Sequence, residues 1–290
     1  MSIKVDNAVI MAAGTSSRFA PLSYERPKAL IEVRGEILIE REIKQLKDAG
    51  IDEIILVTGY MKEQFGYLKD KFGIELVNNP DYLVRNNNST LWAVKDRLRN
   101  TYICSSDNYF SEDPFEKEVD YPYYAAVYSK GETAEWCMTE DKDGWIDSVT
   151  IGGHDAWYML GHAFWDETFS RKFISILEDI YELPETKGLL WEAIYMRCLD
   201  ELKLKMRRYP DDMIFEFDTL DELRAFDKSY VSDTRSEILK GIAGRLGCSE
   251  AEITEVNAYK NADNAAAGIR FCALGKHWEY DYTTQIEREI

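Results

Sequence analysis

The stretch from Ala8 to Leu30, AVIMAAGTSSRFAPLSYERPKAL, decides the fold because a strand, a loop of small residues and two cations follow one another. Residues 5–12 are largely apolar and predict a buried strand that ends in a turn. The next side chains leave their backbone N–H groups accessible at the carboxyl end of that strand, where ligands of open α/β sheets bind. These small residues are Ala12, Ala13, Gly14, Thr15, Ser16 and Ser17.

Two cations follow this loop and favour an anionic ligand. Arg18 can bind two phosphate oxygens with its planar guanidinium, and Lys28 can add a mobile point charge. Pro21 and Pro27 stiffen the segment between them. A strand-to-helix turn with two solvated cations explains these residues equally well, so the chemistry alone leaves both interpretations open.

Short strands and amphipathic helices alternate after the loop. Strand patterns at 53–58, 74–77 and 101–106 are separated by helical patterns at 38–49, 61–72 and 89–98. This order predicts an α/β, Rossmann-like fold with a mainly parallel mixed sheet and helices on both faces.

The pattern changes after Asp107. Strand-like segments at 134–140 and 145–151 flank a DKDG turn, a third follows at 156–165, and together they predict an antiparallel, aromatic-rich insert. We expect this insert to form a second layer over the sheet. Helical patterns return at 166–182 and 188–202, and residues 214–226 read as a strand that enters a helix.

A break near residue 229 predicts two domains, 1–229 and 230–290. The second is expected to be a small α+β appendage with a helix at 232–247, a strand at 252–259 and a hairpin at 267–282. It is too small to form a complete enzyme. A homo-oligomer formed through this appendage is one possible role.

Composition limits the partners and the chemistry. A formal net charge of −18 argues against nucleic acid and anionic membrane surfaces as partners. No apolar stretch approaches the ~20 residues of a membrane span, and the amino terminus does not resemble a signal peptide, so we expect a cytoplasmic protein. Five scattered cysteines without CxxC argue against a disulfide framework or a zinc site, and the presence of only three histidines argues against chemistry that depends on a histidine base or a histidine-bound metal.

The opening stretch resembles the AAGxGxR…PK signature of nucleotidyltransferases, with Ser16 where the family usually has its second glycine. Further segments at 59–82, 86–98, 105–110, 134–149 and 214–223 resemble bacterial CTP:phosphocholine cytidylyltransferases, and this similarity covers about residues 4–228. The tail weakly resembles the start of a choline-kinase-type domain.

This resemblance implies Mg²⁺-dependent transfer of a cytidylyl group from CTP to phosphocholine, with release of pyrophosphate. No general base is required, since a phosphate monoester loses its second proton near pH 6. A sugar-1-phosphate or phosphoethanolamine nucleotidyltransferase is an alternative, as is a non-catalytic nucleotide-binding regulatory protein.

The resemblance also implies roles for individual residues. Arg18 and Lys28 would stabilise the triphosphate, while Asp107 and Asp218 would be the two magnesium ligands. Asp218 could instead cap the helix that follows it. Asn87 and Thr90 would contact the nucleotide, although a helix-capping loop would use the same residue types.

A quaternary ammonium has no N–H, so a protein binds it with aromatic faces and a nearby carboxylate. Two segments pair these residue types and a third is aromatic only, and all three are candidates for substrate binding, although most large aromatic residues simply fill cores. The candidates are Glu135, Trp136, Tyr158, Trp191 and Glu192.

Overall fold

A computed structural model describes residues 2–261 and 266–290 of the chain. The strands in chain order are β1 (Ile3–Lys4), β2 (Asn7–Ala12), β3 (Glu32–Val33), β4 (Glu36–Ile37), β5 (Ile54–Thr58), β6 (Glu75–Asn78), β7 (Thr101–Ser105), β8 (Asn108–Phe110), β9 (Glu118–Val119), β10 (Tyr123–Glu140), β11 (Ile146–Trp165), β12 (Lys205–Arg208), β13 (Ile214–Glu216), β14 (Thr254–Lys260), β15 (Ala266–Ala273), β16 (Lys276–Asp281) and β17 (Ile286–Glu289).

The α-helices in chain order are α1 (Leu22–Glu25), α2 (Leu38–Asp48), α3 (Tyr67–Phe72), α4 (Asn88–Trp92), α5 (Glu167–Ile180), α6 (Trp191–Arg197), α7 (Leu220–Phe226), α8 (Ser229–Ser232) and α9 (Glu237–Leu246). Short 3₁₀ turns lie between several of them, including Ser17–Phe19 and Lys28–Leu30. Across the described residues, no helix is long and apolar enough to cross a membrane.

The chain packs into two compact units, and the first comprises the chain up to Gly14 and Leu38–Glu216. Its centre is a seven-stranded sheet in the order β12-β10-β11-β7-β2-β5-β6. Strand β2 pairs in parallel with β5 and β7, and Val9 and Ile10 are fully buried. The predicted Rossmann-like, mainly parallel mixed sheet is therefore confirmed.

The long hairpin formed by β10 and β11 corrects one expectation. These strands of 18 and 20 residues belong to the main sheet, because Ala163–Trp165 pairs with Thr101–Ile103 of β7. The insert is antiparallel and aromatic, but it is not a second layer. The segments that we expected as two strands, 145–151 and 156–165, form one irregular strand with left-handed backbone at Gly152 and Asp155.

The second unit comprises Thr15–Ile37 and Phe217–Ile290. It contains the antiparallel sheet β14-β15-β16-β17, which has one more strand than we expected. The ring of Tyr24 stacks on that of Tyr282 with centroids 3.9 Å apart, and the Ile238 N–H donates to Glu25 at 3.1 Å. The Tyr230 hydroxyl donates to the carbonyl oxygen of Glu32 at 2.6 Å.

These contacts bear on the predicted domain boundary. The segment that carries Arg18 and Lys28 packs within the same unit as the tail, so packing divides the chain differently from the sequence-based division into 1–229 and 230–290. Whether residues 230–290 fold as a separate domain stays a prediction.

Candidate active site

The small-residue loop follows β2, and the backbone carbonyl oxygen of Ala13 at its start is tightly packed. The Tyr60 N–H donates to the carbonyl oxygen of Ala13 at 3.1 Å, and a Cβ added at Gly59 would come within 2.9 Å of the same oxygen. At Gly14, by contrast, an added Cβ would meet no described atom within 4 Å. Packing against residues 59 and 60 therefore fixes the loop at Ala13, whereas there is open space beside Gly14.

Ser16 lies in the left-handed region of backbone conformation, with φ 47° and ψ 45°. It precedes the 3₁₀ turn Ser17–Phe19, in which the Phe19 N–H donates to the Ser16 carbonyl oxygen at 2.9 Å. Glycine adopts this conformation without steric strain, whereas in other residues the Cβ comes too close to a backbone carbonyl oxygen. The geometry thus explains why the signature has glycine here.

The two predicted cations share one carboxylate within the second unit. Arg18 Nη1 lies 2.5 Å from Asp218 Oδ2, and Lys28 Nζ lies 3.6 Å from Asp218 Oδ1. The Lys28 side chain is 4% exposed while that of Arg18 is 75% exposed, so only the arginine can swing freely towards a ligand.

Asp218 does not cap the helix that follows it. Thr219 is the N-cap of α7 and forms a capping box with Glu222, whose side chain accepts from the N–H groups of Asp218 and Thr219. The helix-cap interpretation of Asp218 is wrong, and its carboxylate is left to the two cations.

Asp107 lies between β7 and β8, at the carboxyl end of a central strand, as expected. The buried Glu42 of α2 interacts with it electrostatically. Burial raises the pKa of the Glu42 carboxyl well above its usual range, and the negative charge of Asp107 raises it further. Burial of Glu42 thus disfavours a second negative charge beside Asp107. Glu42 was not predicted from the sequence.

Trp191 is part of the core, which corrects its assignment as an open wall for a cation. Its side chain is 1% exposed, stacks on Tyr124 with centroids 5.5 Å apart, and meets Trp165 edge-on at 5.0 Å. In this conformation its ring cannot contact a ligand. Trp136 is partly buried and packs against the same core cluster.

Glu192 follows Trp191 and is held by two side chains. Tyr124 donates its hydroxyl proton to Oε1 at 3.2 Å, and Asn87 Nδ2 donates to Oε2 at 3.2 Å. The side-chain oxygen Oδ1 of Asn87 also accepts from the backbone N–H of Trp191 at 2.7 Å and so fixes the start of α6. Burial raises the pKa of Glu192 to about 7, against the opposing effect of these hydrogen bonds.

Further carboxylates surround the nearby tyrosines. Burial and the charges of Glu135 and Glu216 raise the pKa of Tyr158, while burial, Glu192 and Glu216 raise that of Tyr124. Glu216 lies in β13 opposite Asn108, the residue after Asp107. Tyr124 and Glu216 were not anticipated from the sequence, because long-range contacts bring them to the other candidates. We call Glu135, Glu192, Glu216, Tyr124 and Tyr158 the acidic cluster.

Thr90 is buried and its hydroxyl accepts from Asn79 Nδ2 at 3.3 Å. The same Asn79 group donates to Ser89 at 2.8 Å. Thr90 and Asn87 are therefore both held by protein groups at the start of α4, and their contact with a nucleotide stays a prediction.

The carboxylates predicted as metal ligands suit a hard divalent cation, and their sharing of one ion stays a prediction. Asp107 and Asp218 offer only carboxylate oxygens, which Mg²⁺ prefers, and Mg²⁺ takes its remaining ligands from water and substrate phosphates. Asp218 is engaged by Arg18 and Lys28. A triphosphate that attracts both cations would release its oxygens for a metal.

The sequence matches the family of MobA-like NTP transferase domains over residues 8–110. The chain is 33% identical over 221 residues to the choline-phosphate cytidylyltransferase of Streptococcus pneumoniae, an alignment that covers 76% of this chain and 96% of the relative. It is 35% identical over 234 residues to the 2-aminoethylphosphonate cytidylyltransferase of Lancefieldella rimae, covering 79% of this chain and 95% of the relative.

The chain belongs to the family of bacterial cytidylyltransferases that these relatives represent. It is accordingly a nucleotidyltransferase, as we expected from its sequence. The solved structure of the CTP:phosphocholine cytidylyltransferase of Streptococcus pneumoniae superposes with a TM-score of 0.75 at 33% identity, over 78% of this chain and 99% of that one. Enzymes of this cytidylyltransferase family use a divalent metal ion.

Proposed function

We propose that this cytidylyltransferase transfers the cytidylyl group of CTP to phosphocholine and releases pyrophosphate. The observation that carries the choice of acceptor is the acidic cluster, in which Glu192 is fixed by Tyr124 and Asn87. A cationic head group fits such a set of carboxylates and aromatic faces. The choline-phosphate relative supports the same acceptor.

Arg18 and Lys28 bind the triphosphate in this proposal. They stabilise the negative charge that spreads over the α-phosphate and the departing pyrophosphate during the reaction. Because Lys28 is buried and Arg18 is exposed, Lys28 acts as a fixed charge and Arg18 closes on the ligand. The small residues from Ala12 to Ser17 let the backbone approach the phosphates.

The reaction is an in-line displacement on the α-phosphorus of CTP. A phosphate oxygen of the acceptor forms the new O–P bond, and the bond from the α-phosphorus to the bridging oxygen of pyrophosphate breaks. The acceptor phosphate is already largely ionised at neutral pH, so no side chain has to remove a proton.

Asp107 and Asp218 would hold Mg²⁺. When bound, this ion neutralises phosphate charge and orients the reacting groups. The burial of Glu42 matters here, because it disfavours a second negative charge beside Asp107 that would compete with it for the metal ion.

The head group binds at the acidic cluster. Tyr158 and the neighbouring Trp136 offer aromatic faces or edges, while Glu135, Glu192 and Glu216 supply negative charge and Tyr124 holds Glu192 in place. Trp191 supports Tyr124 from the core and does not contact the ligand itself.

2-Aminoethylphosphonate is a second candidate acceptor. A relative at 35% identity carries that name, and three carboxylates also suit a primary ammonium, which donates hydrogen bonds. A trimethylammonium lacks those protons and depends on the aromatic faces. The two acceptors therefore differ in which part of the acidic cluster they use.

Pyrophosphate release with CTP, Mg²⁺ and a panel of acceptors tests the proposal. We expect the highest kcat/KM with phosphocholine, and lower values with 2-aminoethylphosphonate, phosphoethanolamine and glucose-1-phosphate. Asp107→Asn should reduce kcat by at least about a hundredfold, whereas the matched exposed-loop change Asp113→Asn should not. A preference for 2-aminoethylphosphonate would select the second candidate, and nucleotide binding without turnover on any acceptor would refute the proposal.

A homo-oligomer formed through residues 230–290 and a cytoplasmic location also stay proposals. Light scattering of the intact protein, compared between the wild type and surface variants of the tail, tests the first of these.

A further inference from the structure

Three metal-binding side chains meet on the outer face of the tail sheet. The Cys272 thiol lies 3.1 Å from Glu255 Oε2 and 3.1 Å from His277 Nδ1. The three ligand atoms lie within 4.8 Å of one another. They come from three different strands, β14, β15 and β16.

The register of the sheet brings these residues together. Cys272 is directly opposite His277 in the β15–β16 pair, and Thr254, the neighbour of Glu255, is opposite Cys272 in the β14–β15 pair. The inward residues Ile269, Phe271 and Ala273 fill the core, which leaves Cys272 on the other face.

A bulge in β14 aims the carboxylate at the thiol. The β14–β15 register shifts between Thr254 and Asn257, and Glu255 adopts a left-handed conformation with φ 53°. The Glu255 N–H donates to Asp221 at 3.2 Å, which fixes the bulge. A bulge redirects a side chain in this way, and a strained non-glycine residue is commonly found where a function requires it.

From this geometry we propose that Glu255, Cys272 and His277 bind a zinc-class divalent metal ion. Thiolate, imidazole and carboxylate are the ligands that Zn²⁺ prefers, and three protein ligands leave a fourth tetrahedral position open. Tetrahedral ligands at normal Zn–S and Zn–N distances lie about 3.5 Å apart, so the two 3.1 Å contacts of the Cys272 thiol need to lengthen by only a few tenths of an ångström. This proposal is independent of the cytidylyl transfer.

Metal binding competes with a proton at this site. The hydrogen bond to Glu255 raises the pKa of the Cys272 thiol, followed by smaller effects of burial and the charge of Glu255. A metal binds the thiolate, so it displaces that proton, and the affinity for metal rises with pH. The cysteine spacing did not reveal this site, since its ligands are joined by the sheet and not by a short motif.

Cobalt(II) is the probe that separates this site from the proposed magnesium site. Co²⁺ bound to Cys272 gives a sulfur-to-metal charge-transfer band in the near ultraviolet, whereas Co²⁺ bound only by oxygen ligands gives none. We expect the intact protein to show this band at one Co²⁺ per chain, and Zn²⁺ to abolish it by displacement.

Variants assign the ligands. Cys272→Ser should remove the charge-transfer band, and His277→Ala and Glu255→Gln should each weaken the affinity for Zn²⁺ by at least about tenfold in calorimetry. Cys248→Ser, which alters another partly buried cysteine of the tail, and Asp107→Asn should both retain the band. The proposal is overturned if the wild-type protein shows no band, or if Cys272→Ser leaves it unchanged in a folded protein.

Discussion

The Tyr124 hydroxyl donates to the Glu192 carboxylate at 3.2 Å, and the ring of the same tyrosine stacks on Trp191. This pair joins the core to the acidic cluster. Core packing sets the position of the ring, and the hydroxyl in turn positions a carboxylate whose pKa burial raises to about 7. The carboxylate thus titrates in the range where the enzyme is assayed.

The first prediction concerns the pH dependence of acceptor binding. A bound cation favours ionised Glu192, so the KM for phosphocholine should fall as the pH rises through about 7. Glu192→Gln should have a higher KM that changes less with pH. The acceptor phosphate titrates equally in both experiments, so the difference between the two profiles isolates Glu192. Identical profiles would exclude Glu192 from the cation site.

The second prediction concerns Ser16. Ser16→Gly removes a Cβ from a left-handed residue and should leave folding stability and the KM for CTP equal or improved. Ser16→Val places a β-branched side chain in the same conformation and should destabilise the protein by at least about 1 kcal/mol. Thermal unfolding and CTP titration measure both effects. Equal stability of the two variants would show that the loop adopts another conformation.

The third prediction contrasts two glycines. Gly59→Ala brings a methyl within 2.9 Å of the Ala13 carbonyl oxygen and 2.7 Å of the Tyr82 ring, so it should destabilise the fold by about 1–3 kcal/mol.

Gly14→Ala should behave in the opposite way. No described atom lies within 4 Å of the added methyl, so thermal stability should be unchanged. The methyl would occupy the space in which the backbone approaches the triphosphate, and we expect the KM for CTP to rise severalfold. A normal KM in Gly14→Ala would place the nucleotide elsewhere.

The fourth prediction concerns acid stability. His162 is buried and Tyr123 lies 2.9 Å from its Nε2, while burial and the charge of Arg207 lower its pKa to about 3. The unfolded chain takes up this proton near pH 6.5 and the folded chain does not, so stability is present above pH 6.5 and falls as the pH decreases towards 3.

Urea unfolding at two pH values tests this effect. Between pH 6.5 and pH 5 the His162 contribution should fall by about 2 kcal/mol. His162→Gln does not titrate and should lose less stability than the wild type over the same interval. Equal losses in both proteins would show that other groups control the acid sensitivity.

The local sequence pattern predicted the central strands and α2 well. It failed where tertiary contacts determine the length of a helix. The buried runs of β2, β5 and β7 and the apolar face of α2 are visible in the sequence, and all four elements are present. The single helix expected over 61–72 divides at Gly66 into a 3₁₀ turn and α3. The helix expected over 89–98 is limited to α4 and a 3₁₀ turn.

The site shows the same limit. Arg18, Lys28 and Asp218 were predicted from the sequence, and in the structure the two cations contact the carboxylate of Asp218. The alternative of Asp218 as a helix cap could have been excluded from the sequence, because Thr219 and Glu222 have the spacing of a capping box. No local signal points to Glu42, Tyr124 or Glu216, since each reaches its partners through contacts far apart in sequence.

The packing of Tyr24 on Tyr282, and of Glu25 and Glu32 against residues 238 and 230, has a practical consequence for chimeric enzymes. Thr15–Ile37, which carries Arg18 and Lys28, and the tail have complementary surfaces. Replacing only one of them with the segment of a homologue would disrupt the contacts between them. A functional transplant would have to move Thr15–Ile37 together with Phe217–Ile290, although the 179 residues from 38 to 216 separate them in the chain.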